Sequence, residues 1–399
     1  MLEMILVNKP LNYFNKIFIY KYSIKKRGKN LRKTIVILVI LVLISSVAVS
    51  IYAKKIDPIF KEDSLPSYFS WRDINGTDYT TSIKNQAPAP TCEAYGLCAA
   101  LETKMQYQMR EIYEPDLSET HLYFYAGGTY SRGYVDIVDA ANYLVTTGVP
   151  DEGCYPDPHR AYDYPFESLP GWENRTVKIT NWGWVEHDEE SIKKALIEHG
   201  PLVICVHFWK DFYYYHSGVY KHRWGKRAGG HVMAMVGYDD RERCWIVKNS
   251  WGTKWGDNGW VKISYDIDMF AEWYGNGTGI MYLGEVYGNL KPDVPRVQIE
   301  KPENFKTYLF GREFKTIFRL KNFHLQLAAP RILGKLKVEV NAENTNKVEF
   351  YIDGELKHVD NNAPYEWNLE VSSGLHTLDV LAYNDHNMSK DTVDILVFT

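Results

Sequence analysis

The sequence predicts an α+β domain that is followed by an all-β sandwich and preceded by an apolar segment long enough to span a membrane. Helical apolar spacing is concentrated between residues 92 and 199, and strand-like runs follow it between residues 202 and 263. Beyond residue 295, charged and apolar residues alternate with the period of two that is typical of half-buried strands. Helices that precede strands in this segregated order indicate an α+β fold.

The N-terminal region has the composition of a targeting segment. Residues 1–33 contain a basic cluster, and the run from Thr34 to Ala53 is uncharged and about 20 residues long, enough to cross ~30 Å of hydrocarbon as a helix. Because basic flanks stay in the cytoplasm, the rest of the chain is expected outside. Residues 34–53 then form either a retained single-pass anchor or a cleaved signal peptide of a secreted protein. Residues 54–63 are a short linker.

Residues 64–290 form the predicted α+β domain. Apolar residues at helical spacing predict three helices, at Cys92–Met109, Val135–Thr147 and Glu189–His199. Short apolar runs predict four strands, at Leu202–Phe208, His231–Val236, Cys244–Val247 and Gly259–Ile263.

Residues 296–399 form the predicted antiparallel β-sandwich of about 100 residues. Two closely spaced prolines precede it and mark the domain boundary. Charged and apolar residues alternate at 335–340, 348–352 and 375–381, and turn residues separate these segments.

Composition excludes several classes of function. The net charge of −4 gives no basic footprint, which argues against a nucleic-acid partner. Five cysteines are too few for a disulfide scaffold, and Cys and His never recur at zinc-site spacing, so neither a metal nor a cofactor is predicted. Aromatic residues make up 15 % of the chain, which is typical of large cores and binding clefts.

Cys92 is the candidate nucleophile. It lies at the start of the first predicted helix, where the positive end of the helix dipole is expected to lower the pKa of the thiol and favour the thiolate. Position alone is also typical of a small buried apolar residue. Gln86, His231 and Asn249 change this interpretation, because they supply an amide donor for an oxyanion, a base, and an amide oxygen that can orient the base.

On these residues, the sequence resembles the papain family of cysteine peptidases over most of residues 64–285. The most specific signal is the stretch Asn-Ser-Trp-Gly-x-x-Trp-Gly-x-x-Gly, which begins at Asn249. His231 and Asn249 also follow Cys92 at about the spacing of that family. The resemblance implies a two-lobed fold, with a helical lobe and a β-barrel-like lobe, and catalysis through a thioester acyl-enzyme.

The resemblance also implies a role for each site residue. The Cys92 thiolate would attack the scissile carbonyl, and His231 would protonate the leaving amine and later activate water. Asn249 would hold the imidazole, and Trp251 would cover the contact between these two residues. The side-chain amide of Gln86 and the backbone N–H of Cys92 would form the oxyanion hole.

Three residues depart from the family pattern. Ala89 replaces a cysteine that normally forms a disulfide, Glu93 replaces an aromatic residue, and Gly230 replaces the usual Asp or Asn. A carboxylate at Glu93 suits the helix dipole but opposes thiolate formation if it lies close to Cys92. The sequence leaves open whether any of the other four cysteines form disulfides: Cys98, Cys154, Cys205 and Cys244.

The C-terminal region resembles the immunoglobulin-like modules of exported bacterial and archaeal hydrolases, through the run at 348–354 and a predicted core residue, Trp367. It would serve as a spacer, a cell-surface contact or a substrate-docking unit. The whole chain is thus predicted to be a membrane-anchored or secreted cysteine endopeptidase with peptide or protein substrates. Two alternatives stay open: a weak or inactive peptidase-like surface binding protein, and an acyltransferase or transpeptidase that uses the same site.

Overall fold

The structure is a computed structural model that describes residues 65–159, 167–271, 277–314, 329–385 and 387–399. The predicted anchor or signal at 34–53 and the linker at 54–63 lie outside the described residues. Within the described ranges, no helix combines the length and apolar character that crossing a membrane requires.

The described part of the α+β domain contains the α-helices α1 (Cys92–Met109), α2 (Glu119–Tyr125), α3 (Ile137–Thr146) and α4 (Glu189–His199). Three of them confirm the predicted helices, and α1 and α4 match the predicted bounds to the residue. Helix α2 was not predicted. It begins after Ser118, whose hydroxyl accepts a hydrogen bond from the backbone N–H of His121 and so caps the helix.

The described residues of this domain contain ten strands: β1 (Tyr68–Ser70), β2 (Val177–Ile179), β3 (Trp182–Trp184), β4 (Leu202–Trp209), β5 (Val219–Tyr220), β6 (Arg227–Asp239), β7 (Cys244–Lys248), β8 (Trp260–Ser264), β9 (Ile280–Leu283) and β10 (Val286–Gly288). Eight of them form one sheet in the order β3-β9-β4-β6-β7-β8-β5, with β1 also paired to β6. Strands β2 and β10 form a separate pair. The α+β prediction is confirmed, with β6 central and longer than expected.

Helix α1 packs closely on strand β6, and this packing positions the site. Gly96 makes the close approach possible, because a Cβ at this position would lie 2.8 Å from Cγ1 of Val232. On the same helix, Leu97 and Leu101 are fully buried in the core of the domain. The first residue of α1 therefore lies beside the strand that carries His231.

The C-terminal domain, as far as the structure describes it, contains β11 (Arg296–Lys301), β12 (Thr307–Leu309), β13 (Arg312–Phe314), β14 (Arg331–Leu333), β15 (Lys337–Glu343), β16 (Lys347–Ile352), β17 (Glu355–Asp360), β18 (Tyr365–Asn368), β19 (Gly374–Tyr383) and β20 (Met388–Phe398). They form a three-stranded sheet, β11-β15-β18, and a seven-stranded sheet, β13-β12-β14-β20-β19-β16-β17. The predicted β-rich domain is confirmed, and Trp367 lies in its core, 5.9 Å from the ring of Phe350.

The expectation of an entirely antiparallel sandwich is wrong at strand β14. This strand pairs in parallel with both β12 and β20. A tight hairpin between two strands makes them antiparallel, but no tight hairpin joins β14 to β12 or to β20.

The two domains contact each other through a buried arginine. Two N–H groups of Arg175 donate to the carboxylate of Asp151, one of them over 2.7 Å. The same guanidinium donates to the carbonyl of Met388 over 2.6 Å and to the hydroxyl of Ser389 over 3.0 Å, both in β20. The sandwich is therefore bonded to the α+β domain and is not joined to it by the connecting segment alone.

Candidate active site

Strand pairing brings His231 and Asn249 together. His231 lies on β6, Asn249 directly follows β7, and these two strands are antiparallel neighbours. Nε2 of His231 lies 2.7 Å from Oδ1 of Asn249. An amide oxygen can only accept, and the same Oδ1 also accepts the backbone N–H of Ser250 over 2.8 Å. The proton of neutral His231 is therefore on Nε2, which leaves Nδ1 as a proton acceptor.

Trp251 covers this pair. Its ring stacks on the His231 ring at 4.6 Å with an angle of 30°, and Phe208 contacts both rings edge-on. Burial lowers the pKa of His231 to about 4, although the hydrogen bond to Asn249 acts in the opposite direction. The imidazole is therefore neutral at pH 7 and has a fixed orientation.

Cys92 lies at the N-terminus of α1, as predicted. The side chain of Thr91, at the capping position, makes no hydrogen bond to the helix. The backbone N–H of Val232 and the side chain of Glu93 contact the Cys92 thiol. Among the hydrogen bonds of the described residues, none joins this thiol to the ring of His231. The predicted nucleophile and base are thus not hydrogen-bonded to each other.

The predicted lowering of the Cys92 pKa is wrong. Burial raises the pKa of the thiol well above its ordinary value, and the charge of Glu93 raises it further. A helix dipole contributes about 0.3–1 kcal/mol, whereas burial shifts pKa values by up to about 3–5 units, so burial outweighs the dipole. Burial also raises the pKa of Glu93 to about 7, because this residue is only 4 % exposed. The resting thiol is consequently protonated at pH 7.

Gln86 is buried, and two hydrogen bonds hold its side chain. Its Oε1 accepts the hydroxyl of Ser250 over 2.7 Å, and its Nε2 donates to the carbonyl of Ala89 over 3.0 Å. An amide nitrogen carries two N–H groups, so one remains for a ligand. The backbone N–H of Cys92 belongs to the first turn of α1, where N–H groups have no acceptor within the helix. These two donors are the ones predicted for the oxyanion hole.

Sequence reasoning missed the charged cluster that supports Gln86. Nζ of Lys84 lies 2.8 Å from Glu102, 2.6 Å from Asp116 and 2.7 Å from Glu119. Burial acts to lower the pKa of Lys84, but the three carboxylates outweigh it and raise the pKa well above its ordinary value. Because Lys84 lies two residues before Gln86, this ion cluster fixes the segment that carries the predicted oxyanion donor. The sequence signal that could have indicated this cluster is a lysine, Lys84, two residues before the predicted amide donor.

A second miss concerns Asp211 and His222. Nδ1 of His222 lies 3.1 Å from the carboxylate of Asp211, and the ring of His222 stacks on Trp209 at 4.5 Å. Asp211 itself is buried in a short 3-10 turn, Lys210–Tyr214, where no periodic pattern marks it.

All five cysteines are free thiols, so none of the disulfides left open by the sequence is formed. Cys92 is partly exposed, whereas the other four are buried: Cys98, Cys154, Cys205 and Cys244. The nucleophile candidate is thus the accessible thiol of this chain.

Several known proteins are similar to parts of this chain. A 92-residue segment is 48 % identical to cathepsin B-like CP3 of Giardia intestinalis, and it covers 22 % of this chain and 30 % of that protein. Macrodontain-1 of Ananas macrodontes is 30 % identical over 211 residues, which are 51 % of this chain and 91 % of that protein. The solved structure of bromelain from Ananas comosus, in complex with the E64 inhibitor, is 26 % identical and covers 55 % of this chain and 99 % of its own, with a TM-score of 0.45.

Two family descriptions match separate parts of the chain. The bacterial Ig domain matches residues 330–380, within the C-terminal sandwich. The papain family cysteine protease matches residues 65–279, which is more than half of the 399 residues and includes Cys92, His231 and Asn249. The chain belongs to the papain family of cysteine proteases.

Proposed function

We propose that this protein is a cysteine endopeptidase that hydrolyses peptide bonds of peptides and proteins outside the cell. The observation that carries the proposal is the 2.7 Å bond between His231 and Asn249 beneath Trp251, on the strand that packs against the helix beginning at Cys92. A nucleophile, a base beside it and a group that orients the base are the parts that thiol-based acyl transfer needs.

The reaction begins from a neutral pair. Nδ1 of His231 takes the proton of the Cys92 thiol as the sulfur attacks the scissile carbonyl carbon. Negative charge then develops on the carbonyl oxygen, where the backbone N–H of Cys92 and the remaining N–H of Gln86 stabilise it. The imidazolium gives its proton to the leaving amine, and the carbon–nitrogen bond breaks to leave a thioester. Water, deprotonated by His231, then releases the acid and restores the thiol.

The location of the protein is part of the proposal. The uncharged run at 34–53, preceded by a basic cluster, supports either a membrane anchor with the peptidase domain outside or a secreted protein. Cell fractionation combined with N-terminal sequencing of the mature protein distinguishes the two. A full-length protein in the soluble cytoplasmic fraction would contradict both.

A second function is favoured by Glu93. Its carboxyl group, buried beside the thiol, raises the pKa of Cys92 and so weakens the nucleophile. A peptide-binding protein that cleaves its ligand slowly or not at all is therefore the alternative. It predicts saturable peptide binding without turnover.

The two functions are separated by one experiment on the full-length protein. A panel of peptidyl-coumarin substrates and a thiol-directed epoxide are applied between pH 4 and 9, beside Cys92→Ala and the control Cys244→Ala, which removes a buried thiol. Cleavage and labelling that are lost only in Cys92→Ala support the peptidase. A folded protein that binds peptides but shows neither labelling nor cleavage at any pH supports the binding protein instead.

A further inference from the structure

An exposed aromatic surface continues outward from the active site. It consists of Tyr213, Tyr214 and Trp224, which are 52 %, 73 % and 54 % exposed. The ring of Tyr213 stacks on Trp251 at 5.3 Å and 18°, and Trp251 in turn stacks on His231. The rings of Tyr214 and Trp224 lie 5.6 Å apart. Exposed apolar patches of this kind are typical of binding surfaces.

The aromatic surface is held in place by Asp211. This carboxylate accepts the backbone N–H groups of Arg223 and Trp224 over 2.7 and 3.2 Å, and the hydroxyl of Tyr220 over 2.7 Å. Burial acts to raise the pKa of Asp211, but these bonds and the one from His222 outweigh it and hold the pKa at about 2. The loop that carries Trp224 is therefore fixed to the turn that carries the two tyrosines, and a surface ordered in advance loses less entropy on binding.

A basic rim borders the aromatic surface. It consists of the exposed side chains of Lys210, Arg223 and Lys226. The backbone N–H of Lys210 donates to the carbonyl of Lys226 over 3.1 Å, which holds the two backbone segments together. Within the described ranges, no carboxylate forms a salt bridge with any of these three residues, whereas nearby Lys221 is paired with Asp266 at 2.9 Å. The rim therefore presents three cationic side chains that a ligand can pair with.

The chemistry of the site indicates which part of a substrate meets this surface. His231 gives its proton to the leaving amine, so the residues that follow the scissile bond must leave Cys92 on the side of His231. Trp251 stacks on that ring, and the exposed ring of Tyr213 stacks on Trp251. We propose that the aromatic surface and basic rim bind the segment after the scissile bond, and that they select substrates with aromatic and acidic side chains there. This proposal rests on the proposed peptidase activity and names its substrate class.

The test compares quenched fluorescent peptides that share one sequence before the scissile bond. After the bond they carry aromatic and acidic, aromatic and basic, or small neutral residues, and a coumarin substrate with no residues after the bond is the reference. The measured quantity, on the full-length protein, is kcat/KM for the aromatic-acidic peptide divided by kcat/KM for the reference. We expect this ratio to fall about tenfold in Trp224→Ala or Tyr214→Ala, because each variant loses one aromatic contact.

Charge reversal and a matched control make the test specific. The double variant Arg223→Glu, Lys226→Glu is expected to reverse the preference between the acidic and basic peptides, because opposite charges attract and like charges repel at the rim. Tyr287→Ala removes another exposed aromatic, from the β2–β10 pair, and should keep the ratio within about twofold of the original. Equal ratios in all variants would overturn the proposal.

Other outcomes are also decisive. Aromatic and basic side chains also suit a membrane surface. If Trp224→Ala weakens binding to vesicles of anionic lipid and leaves the peptide ratio unchanged, the proposal is wrong.

If the protein cleaves nothing, the peptidase proposal fails. The aromatic surface is then tested by titrating the aromatic-acidic peptide into Cys92→Ala with and without Trp224→Ala. Tighter binding with Trp224 present supports the surface, and equal affinity rejects it.

Discussion

Replacing Glu93 by glutamine tests how the neighbouring carboxylate controls the nucleophile. Glutamine has nearly the same shape but no charge, so the substitution removes the electrostatic effect and keeps the packing. Since the charge of Glu93 raises the pKa of Cys92, Glu93→Gln is expected to make the thiol more reactive. The size of this increase in thiol reactivity depends on pH.

The magnitude follows from the pKa of about 7 for Glu93. About half of these carboxyl groups are ionised at pH 7, about 1 % at pH 5 and nearly all at pH 9. A like charge about 4 Å away costs about 1 kcal/mol in water and about 4 kcal/mol at the effective dielectric constant near a protein surface. The variant should therefore react at the same rate as the original protein at pH 5, and at least about fivefold faster above pH 8.

The assay is the second-order rate of alkylation of Cys92 by iodoacetamide between pH 5 and 9, measured by intact mass on the full-length protein. The other four cysteines are buried and provide little background. Glu111→Gln is the matched control, because Glu111 is an exposed acid just beyond the far end of α1 and forms a surface ion pair with Lys291. Thermal unfolding of each variant checks that the fold is kept.

Two results would refute this reasoning. A ratio of rates that stays the same from pH 5 to 9 means that ionisation of Glu93 does not control the thiol. A slower reaction of Glu93→Gln at pH 8 means that the carboxylate helps the nucleophile, as a proton acceptor would.

Three further substitutions have definite expected outcomes. Asn249→Ala should lower kcat/KM about 10- to 150-fold, because the charged form of His231 loses a hydrogen bond worth about 1.5–3 kcal/mol. Peptidyl-coumarin kinetics measure this change, and a decrease of less than threefold contradicts the prediction. Arg175→Met should lower the free energy of unfolding by about 3 kcal/mol in urea, because it leaves a partly buried carboxylate unpaired, and an unchanged midpoint argues against the contact. Gly96→Ala should lower the free energy of unfolding by about 1–3 kcal/mol and slow the labelling of Cys92, because the new methyl group presses on Val232. A variant as stable and as reactive as the original would show that α1 can move away from β6 without loss.

The elements that the sequence predicts best are those with local signals. Helix α1 matches its predicted bounds because apolar residues recur along it at three- and four-residue spacing, from Ala94 through Leu97 and Leu101 to Met105. Helix α2 has only seven residues, fewer than two full periods of that pattern, so its spacing does not distinguish it from a loop. Its start was signalled only by a capping residue, Ser118.

In the candidate site, too, the sequence predicts some features and not others. Cys92, His231 and Asn249 could be named from their residue types and spacing, since the chemistry requires those types. The ionisation of Cys92 could not, because it depends on how deeply the helix start is buried, and burial is a property of the folded chain. The role of Asp211 was equally hidden, because its partners lie in a loop that only the fold brings to it.

The buried contact of Arg175 with strand β20 changes what a protease would do to this chain. The segment near residues 290–295 connects the two domains and exposes Lys291 and Asp293, and exposed polar connections are where proteins are commonly cut. A cut there severs the peptide backbone, but the guanidinium still bonds Asp151 on one fragment and Ser389 on the other. The two fragments should migrate separately on a denaturing gel and elute together from a native sizing column.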